Sequence, residues 1–405
     1  MLSERSAQIV RTTLPAVGAS LGTITELFYR RMFEERPELL RDLFNRANQA
    51  SGTQREALAG AVAAFATALV DHPDERPDAI LGRIANKHAS LGITSDQYTL
   101  VARHLLNAVA EVLGDAVTPE VAAAWDEVYW LMANALIALE ARLYAQARVE
   151  DGAVWQTMEI TGRHEETPDA VSLVLRRADG TPTGPFVPGQ YVSVRVELPD
   201  GAHQIRQYSL STAPGLKTWR ITVKREYSAD GRVPEGEVSS WLHTHARPGT
   251  TLQVSLPFGD LLLDQSESPL LLASAGIGIT PMLAMLEHLA ATTPHRPVTV
   301  VHADRSPADH AHRLELTTLT NRLPNASLHL WYEDTDHPDL DAVADHINEG
   351  LADITRLSPT PNTTAYLCGP LAFMKAVRTD LLDHGLSPRT IHYEVFGPDL
   401  WLSKP

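Results

Sequence analysis

Four short segments between Tyr191 and Pro398, and one histidine ahead of them, carry residue types suited to chemistry. Gly276-Ile277-Gly278-Ile279-Thr280-Pro281 follows the apolar run Leu270–Ala273 and opens a helical pattern. In that setting a glycine turn can cradle a pyrophosphate against a helix N-terminus. It is not the G-x-G-x-x-G dinucleotide fingerprint. Arg206-Gln207-Tyr208-Ser209 offers a planar guanidinium fork, which meets phosphate oxygens with two parallel bonds. Taken alone, the same tetrapeptide also suits an ordinary barrel strand. Cys368-Gly369-Pro370 closes a strand-like run at the carboxyl edge, where parallel sheets bind ligands, and Cys368 there is either a ligand neighbour or a plain buried cysteine. Glu394-Val395-Phe396-Gly397-Pro398 sets an aromatic ring before a Gly-Pro turn.

His88 is the candidate metal ligand. Over Asp78–Leu91 it shares a helical face with Ile80, Leu81 and Ile84, while Arg83 and Lys87 point away. Such a histidine is either a hydrogen-bonded core residue or a ligand. Glu140 lies i+4 from Leu136 and i−3 from Leu143, beside or on the apolar stripe of its helix, where a carboxylate is costly to bury unpaired. Tyr98 opens another apolar stripe, and its hydroxyl needs a partner if buried. A ligating histidine donates its second ring N–H to an acceptor of this kind, which fixes the tautomer.

Three styles of patterning must position these residues. From Ser3 to Arg148 apolar residues recur only at helical spacing, as in Gln54, Leu58, Ala61, Phe65 and Leu69, in Tyr98, Val101, Leu105, Val109 and Val112, and in Val121, Trp125, Val128, Met132, Leu136, Leu139 and Leu143. Pro73–Pro77 reads as a loop between helices. After Gly152 the period becomes two, with strict alternation over Tyr191–Leu198 and Trp219–Lys224, which predicts an antiparallel sheet closed into a small barrel and ending near Pro257–Asp260. From about Leu270 buried strands (Leu270–Ala273, Val298–Val301, Thr364–Cys368) alternate with helical stretches (Met282–Ala290, Phe373–Leu382), the mark of a parallel α/β sheet. The expected domains are residues 1–148, 149–264 and 265–405.

Composition sets bounds. A chain of 405 residues exceeds what one core serves, so two or three domains are expected. A net charge of −16 argues against nucleic-acid partners and anionic membrane surfaces. Ser268–Leu286 carries no charge, but Gly276, Gly278 and Pro281 interrupt it, so no transmembrane segment is expected. The start Met1-Leu2-Ser3-Glu4-Arg5 lacks a signal-peptide pattern, and the single cysteine cannot form an internal disulfide; a reducing cytoplasm is the expected setting.

In order and spacing, Phe28–Phe33, Leu43-Phe44-Asn45, Asn48-Gln49, Gln54–Leu58, Lys87-His88 and Gln97-Tyr98 resemble the globin domain of the flavohaemoglobins. The four downstream segments resemble that family's ferredoxin-reductase-type half, so the resemblance spans essentially the whole chain. It implies an all-α globin fold, an antiparallel β-barrel binding FAD, and an α/β domain binding NAD(P)H. His88 becomes the proximal ligand of haem b, with Tyr98 and Glu140 as a relay behind it. Phe44 packs on the porphyrin, Tyr29 and Gln54 take distal positions with Leu58 as apolar neighbour, and Lys87 lies where haem and flavin domains meet.

The FAD site implied by the resemblance comprises Tyr191, Arg206, Gln207, Tyr208, Ser209, Val238, Ser239 and the terminal Glu394, Val395, Phe396, Gly397 and Pro398. In it the arginine pairs the pyrophosphate, and Phe396 covers the flavin until nicotinamide displaces it. The NAD(P) site comprises Gly276, Ile277, Gly278, Ile279, Thr280, Pro281, Cys368 and Gly369. This chain departs from the family's pattern at Ile279, where a polar residue is common, at Val395, where cysteine is, and in the longer stretch 227–234. Asp304-Arg305-Ser306 leaves NADH against NADPH open, since the arginine could hold a 2′-phosphate that the aspartate would repel.

The implied activity is conversion of nitric oxide and O2 to nitrate with NAD(P)H, with no protein partner. The rivals are an oxygen-binding or gas-sensing globin with its own reductase, and a haem peroxide or hydroperoxide reductase.

Overall fold

The computed structural model describes residues 2–74, 77–227, 236–335, 346–357 and 359–401. Parts of the loop expected at 73–77 and most of the stretch 227–234 therefore lie outside the described residues.

The first part is all helix: α1 (Glu4–Glu35), α2 (Pro37–Asp42), α3 (Arg46–Ser51), α4 (Thr53–Asp71), α5 (Asp78–Leu91), α6 (Gln97–Leu113) and α7 (Pro119–Ala147). Local sequence sets several of these ends. Ser3 caps α1, and Thr118 caps α7 with Pro119 in its first turn. Asn45 caps α3 by accepting from the amides of Ala47 and Asn48 at 3.0 and 3.3 Å. α1 packs against α4, α6 and α7, and α5 against α7. The three apolar stripes meet there, burying Phe65, Leu105, Val128 and Leu136 beside Ile24 and Phe28 of α1.

The second part is an antiparallel sheet of β1 (Trp155–Thr167), β2 (Ala170–Arg177), β3 (Tyr191–Glu197), β4 (His203–Ser209), β5 (Trp219–Lys224) and β6 (Thr251–Ser255), with α8 (Glu237–His245) inserted before β6. The order is β4-β3-β6-β1-β2-β5. A single bridge, Leu210 to Ile221, joins its two outer strands and closes the barrel. The alternation of β3 is only partly a wet–dry alternation. Ser193, on the face opposite Val192 and Val194, is also fully buried, because α5 covers that face and Ser193 Oγ donates to Ser90 Oγ at 2.9 Å.

The third part is a parallel sheet of β7 (Leu270–Ala275), β8 (Val298–Asp304), β9 (Ala326–Tyr332), β10 (His346–Glu349), β11 (Thr364–Cys368) and β12 (Ile391–Glu394), in the order β10-β9-β8-β7-β11-β12. Helices α9 (Ile279–Thr292), α10 (Arg313–Asn321) and α11 (Leu371–Asp383) link its strands. Thr364–Cys368 is thus the fifth strand of this sheet in chain order rather than the third, although it lies beside the first. β8 flanks β7 on one side and β11 on the other, so the strand order reverses there. The crevice beyond the ends of β7 and β11 is where such sheets bind ligands. Ser268–Leu286 forms β7, a one-turn 3-10 helix and the start of α9. No helix among the described residues is long and apolar enough to cross a membrane.

Gly189 turns the chain into β3 with φ +103°, and a β-carbon there would lie 1.7 Å from the carbonyl oxygen of Leu261. Gly189→Ala should cost on the order of 3 kcal/mol, combining strain with overpacking. Gly201→Ala, where φ is +76° but nothing lies within 4 Å, should cost only about 1 kcal/mol. Urea denaturation of both variants measures the contrast, and equal losses would refute the close-approach argument.

Candidate functional site

α5 sets His88 opposite Tyr98 at the start of α6 and Glu140 near the end of α7. His88 Nδ1 lies 2.9 Å from both Glu140 Oε1 and the Tyr98 hydroxyl, and that hydroxyl donates to the same Oε1 at 2.5 Å. Glu140 is only 2% exposed. A buried carboxylate with two donors at one oxygen accepts the Nδ1–H proton, which leaves Nε2 as the lone-pair nitrogen. Burial, and next the Glu140 charge, hold the Tyr98 phenol above its ordinary range, so it remains a donor. Nε2 makes no hydrogen bond to a described residue, and of the ring nitrogens it is the one that could hold a metal ion.

A second cluster lies around Tyr29 on α1. Its ring packs against Phe28, Phe33 and Phe44, with centroids 4.7, 5.6 and 5.7 Å away. Burial raises its phenol pKa against the opposing pull of the Gln54 and Gln49 side chains beside it, so the hydroxyl keeps its proton. Phe44, Gln54 and Leu58 are half-buried. Gln49, absent from the sequence-based set, buries its Nε2 without a described partner.

The other face of α5 meets the C-terminal segment. Lys87 Nζ donates to the Gly397 carbonyl at 3.1 Å, and Arg83 to Asp399 at 2.5 Å with its guanidinium 4.1 Å from the Tyr393 ring centre. Burial opposes the Arg83 charge, yet Tyr393, Asp260 and Asp399 together hold its pKa above the usual value. Burial lowers the pKa of Lys87. Glu394, 5% exposed, has its carboxyl pushed up to about 8 by burial and then by the Asp260 charge.

In the barrel, Tyr191 on β3 pairs in register with Ser209 on β4. Ser209 Oγ and Glu394 Oε2 are buried without a described partner, as an atom that awaits a polar ligand would be. Gln207 donates to Ser193 Oγ at 3.0 Å, and Tyr208 is half-buried. Arg206 donates to Asn45 Oδ1 at 2.8 Å, and burial lowers its pKa, so an anion there gains a poorly solvated cation. Val238 and Ser239 form the first turn of α8. The Val238 side chain is fully buried in the barrel core, and the Ser239 hydroxyl donates to the Gly236 carbonyl, which leaves the uncapped amides of that turn for an anion.

In the parallel sheet, Gly276–Gly278 form the 3-10 turn after β7 and Gly369 follows β11. Ile279, Thr280 and Pro281 are buried in α9 packing, so Ile279 offers a nucleotide no side-chain contact. Cys368 is fully buried, and burial pushes its thiol pKa up; it packs as a plain apolar residue. Arg305 is held by Asp309 at 2.5 Å.

A globin family model matches residues 26–136, and an oxidoreductase NAD-binding domain model matches residues 272–379. The flavohemoprotein of Rhizobium meliloti strain 1021 is 40% identical over 99% of this chain and 100% of its own length. The chain belongs to the flavohemoprotein family. The structure is similar to that of a flavohemoglobin from Malassezia yamatoensis with bound FAD and heme, at TM-score 0.87 and 38% identity, covering 98% of this chain and 100% of that one. It is also similar to the FAD/NAD-binding domain of a nitric oxide dioxygenase from Vibrio cholerae O1, at TM-score 0.55 and 33% identity, over 60% of this chain and 99% of that one.

Several residues here escaped sequence reading. Arg46 joins Asp200 and Glu237 at 2.7 Å each, and Gln204 donates to the carbonyls of Arg41 and Phe44 at 3.1 Å each. These pairs tie the α2–α3 corner to β4 and α8. They join residues more than 150 positions apart, and no local pattern signals them. Asn45 carried a signal as a capping residue, though not as the acceptor for Arg206.

The raised carboxyl of Glu394 has a consequence for stability. Its folded value lies above the ordinary 4.5, so its contribution is full below that value and is lost as pH rises toward about 8. Between about pH 5 and about pH 8.5, Glu394→Gln should lose less unfolding free energy than the parent chain in urea titrations. Parallel losses would show Glu394 ionised throughout.

Proposed function

We propose that this chain is a nitric oxide dioxygenase, joining two NO and two O2 with one NAD(P)H to give two nitrates, NAD(P)+ and one proton. The observation that carries it is the buried Glu140–Tyr98–His88 set, in one chain with a reductase-type sheet pair. When bound, haem b would supply the iron centre for the gases, FAD the conversion of a hydride pair into single electrons, and NAD(P)H the hydride.

Under this reading His88 Nε2 holds the iron. Glu140 keeps the Nδ1 proton, making the ligand electron-rich, which suits oxygen activation better than storage. Tyr29 retains its proton and aims a donor at O2, with Gln54 beside it. A bond to a charged oxygen is worth roughly 1.5–3 kcal/mol. Phe44 and Leu58 give the porphyrin apolar contact. Arg206 and the first-turn amides of α8 hold the flavin pyrophosphate, and Ser209 bonds the ring system. Phe396 covers the flavin face, and the turn at Gly276–Gly278 takes the dinucleotide pyrophosphate. The proposed working units are residues 1–148, 149–264 and 265–405.

Aerobic addition of NO to the NADH-supplied, FAD- and haem-loaded protein should consume NO and yield stoichiometric nitrate. Consumption of hydroperoxide without nitrate would assign the rival peroxidase activity instead. His88→Ala should lose haem while keeping FAD, read from the visible spectrum; normal haem content would refute the ligand assignment. Tyr29→Phe should speed O2 dissociation from the reduced protein by about tenfold to a hundredfold while changing carbon monoxide much less, because only the charged ligand rewards a donor. Equal effects on both gases would make Tyr29 a steric gate.

A further inference from the structure

The helical part sends one cation onto the barrel beside Arg206. Arg46, the first residue of α3, meets Glu237 through two contacts, Nη2 to Oε1 at 2.7 Å and Nε to Oε2 at 3.3 Å, and its Nη1 donates to Asp200 at 2.7 Å. Glu237 is the first residue of α8, whose opening turn has no side-chain cap and which packs against β4. We propose that Arg46 holds Glu237 away from Arg206 and so keeps the flavin pyrophosphate site open to its anion, a role that rests on the reading of the barrel as a flavin site.

The two arginines differ in their partners. Nε, Nη1 and Nη2 of Arg46 each meet a carboxylate, so its charge is compensated within the protein. Among the described residues Arg206 donates only to neutral acceptors, the Ile205 carbonyl at 2.7 Å, Asn45 Oδ1 at 2.8 Å and Gln204 Oε1 at 3.5 Å. A partly buried guanidinium without a counterion attracts the nearest anion. Glu237 is close enough to be that anion. Burial is the main influence on the Arg206 pKa and lowers it, while Glu237 pulls it up and Arg46 pushes it down, so the three groups share one field.

A carboxylate at the start of a helix is favourable by itself, because it meets the positive end of the helix dipole. It becomes a liability where the same turn must also hold a pyrophosphate, since like charges side by side repel. Glu237 would then compete twice, by its own charge and by pairing with Arg206. The two-point grip of Arg46 occupies both of its oxygens. Gln204 on β4 fixes the grip in place. Its Oε1 accepts from the Arg46 amide at 3.3 Å, and its Nε2 donates to the carbonyls of Arg41 and Phe44. An ordinary docking pair would also join the two parts, but its loss would not depend on the charge of Glu237 for its effect on flavin.

The test uses the full-length, haem-loaded protein freed of FAD and titrated with FAD, followed by quenching of flavin fluorescence. The haem spectrum reports on the helical part. Arg46→Met keeps the hydrocarbon stem and removes the charge. It should weaken FAD binding by about tenfold to a hundredfold, the scale of an uncompensated like charge beside the ligand. Glu237→Gln should bind FAD at least as tightly as the parent, and the double variant should return to within about threefold of it. Equal weakness in Arg46→Met and the double variant would make Arg46 a docking residue and overturn the role, as would unchanged affinity in Arg46→Met. If Arg46→Met loses haem, Glu237→Gln decides, and weaker FAD binding there than in the parent overturns the role. A parent protein that binds no FAD overturns the reading of the barrel itself, and this role with it.

Discussion

The placement of His88, and of the helix that carries it, depends on one buried carboxylate. Glu140 sits in an apolar helix–helix contact where an unpaired charge would cost several kcal/mol. It is tolerable there because Tyr98 and His88 converge on one of its oxygens. The same bonds that compensate its burial settle the tautomer of His88 and hold α5 against α7. A helix oriented this firmly on one side can present a second surface on the other. Arg83, Asn86, Lys87 and Ser90 make that surface, and all four reach residues of the other two parts or support a residue that does.

α5 is therefore the element through which the three parts address one another. Asn86 accepts from the Gly259 amide at 2.9 Å, Ser90 from Ser193, and Lys87 donates to Gly397. His88 lies one residue from Lys87, so the side of α5 that meets Glu140 and the side that meets the other two parts are separated only by the width of a helix.

How much of this was legible in the sequence follows from the range of each interaction. The face bearing His88, the position of Glu140 on its stripe and the glycine turn before α9 are local periodicities, and the structure shows them at the expected residues. β9, β10 and β12 were not read from the sequence. β9 carries His329 amid its apolar residues, and β10 and β12 span only four residues each. A strand that short gives no period to detect. Helices α2 and α3, six residues each, hid for the same reason. The burial of Ile279 and Ser193 could not be read either, because their covering surfaces come from distant segments.

The contact between α5 and the C-terminal segment follows a charge logic that pairwise reading misses. Three carboxyls, Asp260, Glu394 and Asp399, face two cations, Arg83 and Lys87, in a region shielded from water. Full ionisation would crowd three mutually repelling carboxylates together, and low permittivity penalises that more than surface screening would. The least costly state places a proton on a carboxyl, and the enclosed Glu394, pushed up to about 8 by burial and then by the Asp260 charge, carries it at neutral pH. A protonated carboxyl can donate as well as accept, and its Oε2 has no described partner. A protonated Glu394 at neutral pH, two residues before Phe396, is an uncharged hydrogen-bonding group where an ionised one would add a third negative charge. The acid–base balance at this three-way contact thus sets the net charge beside the C-terminal segment.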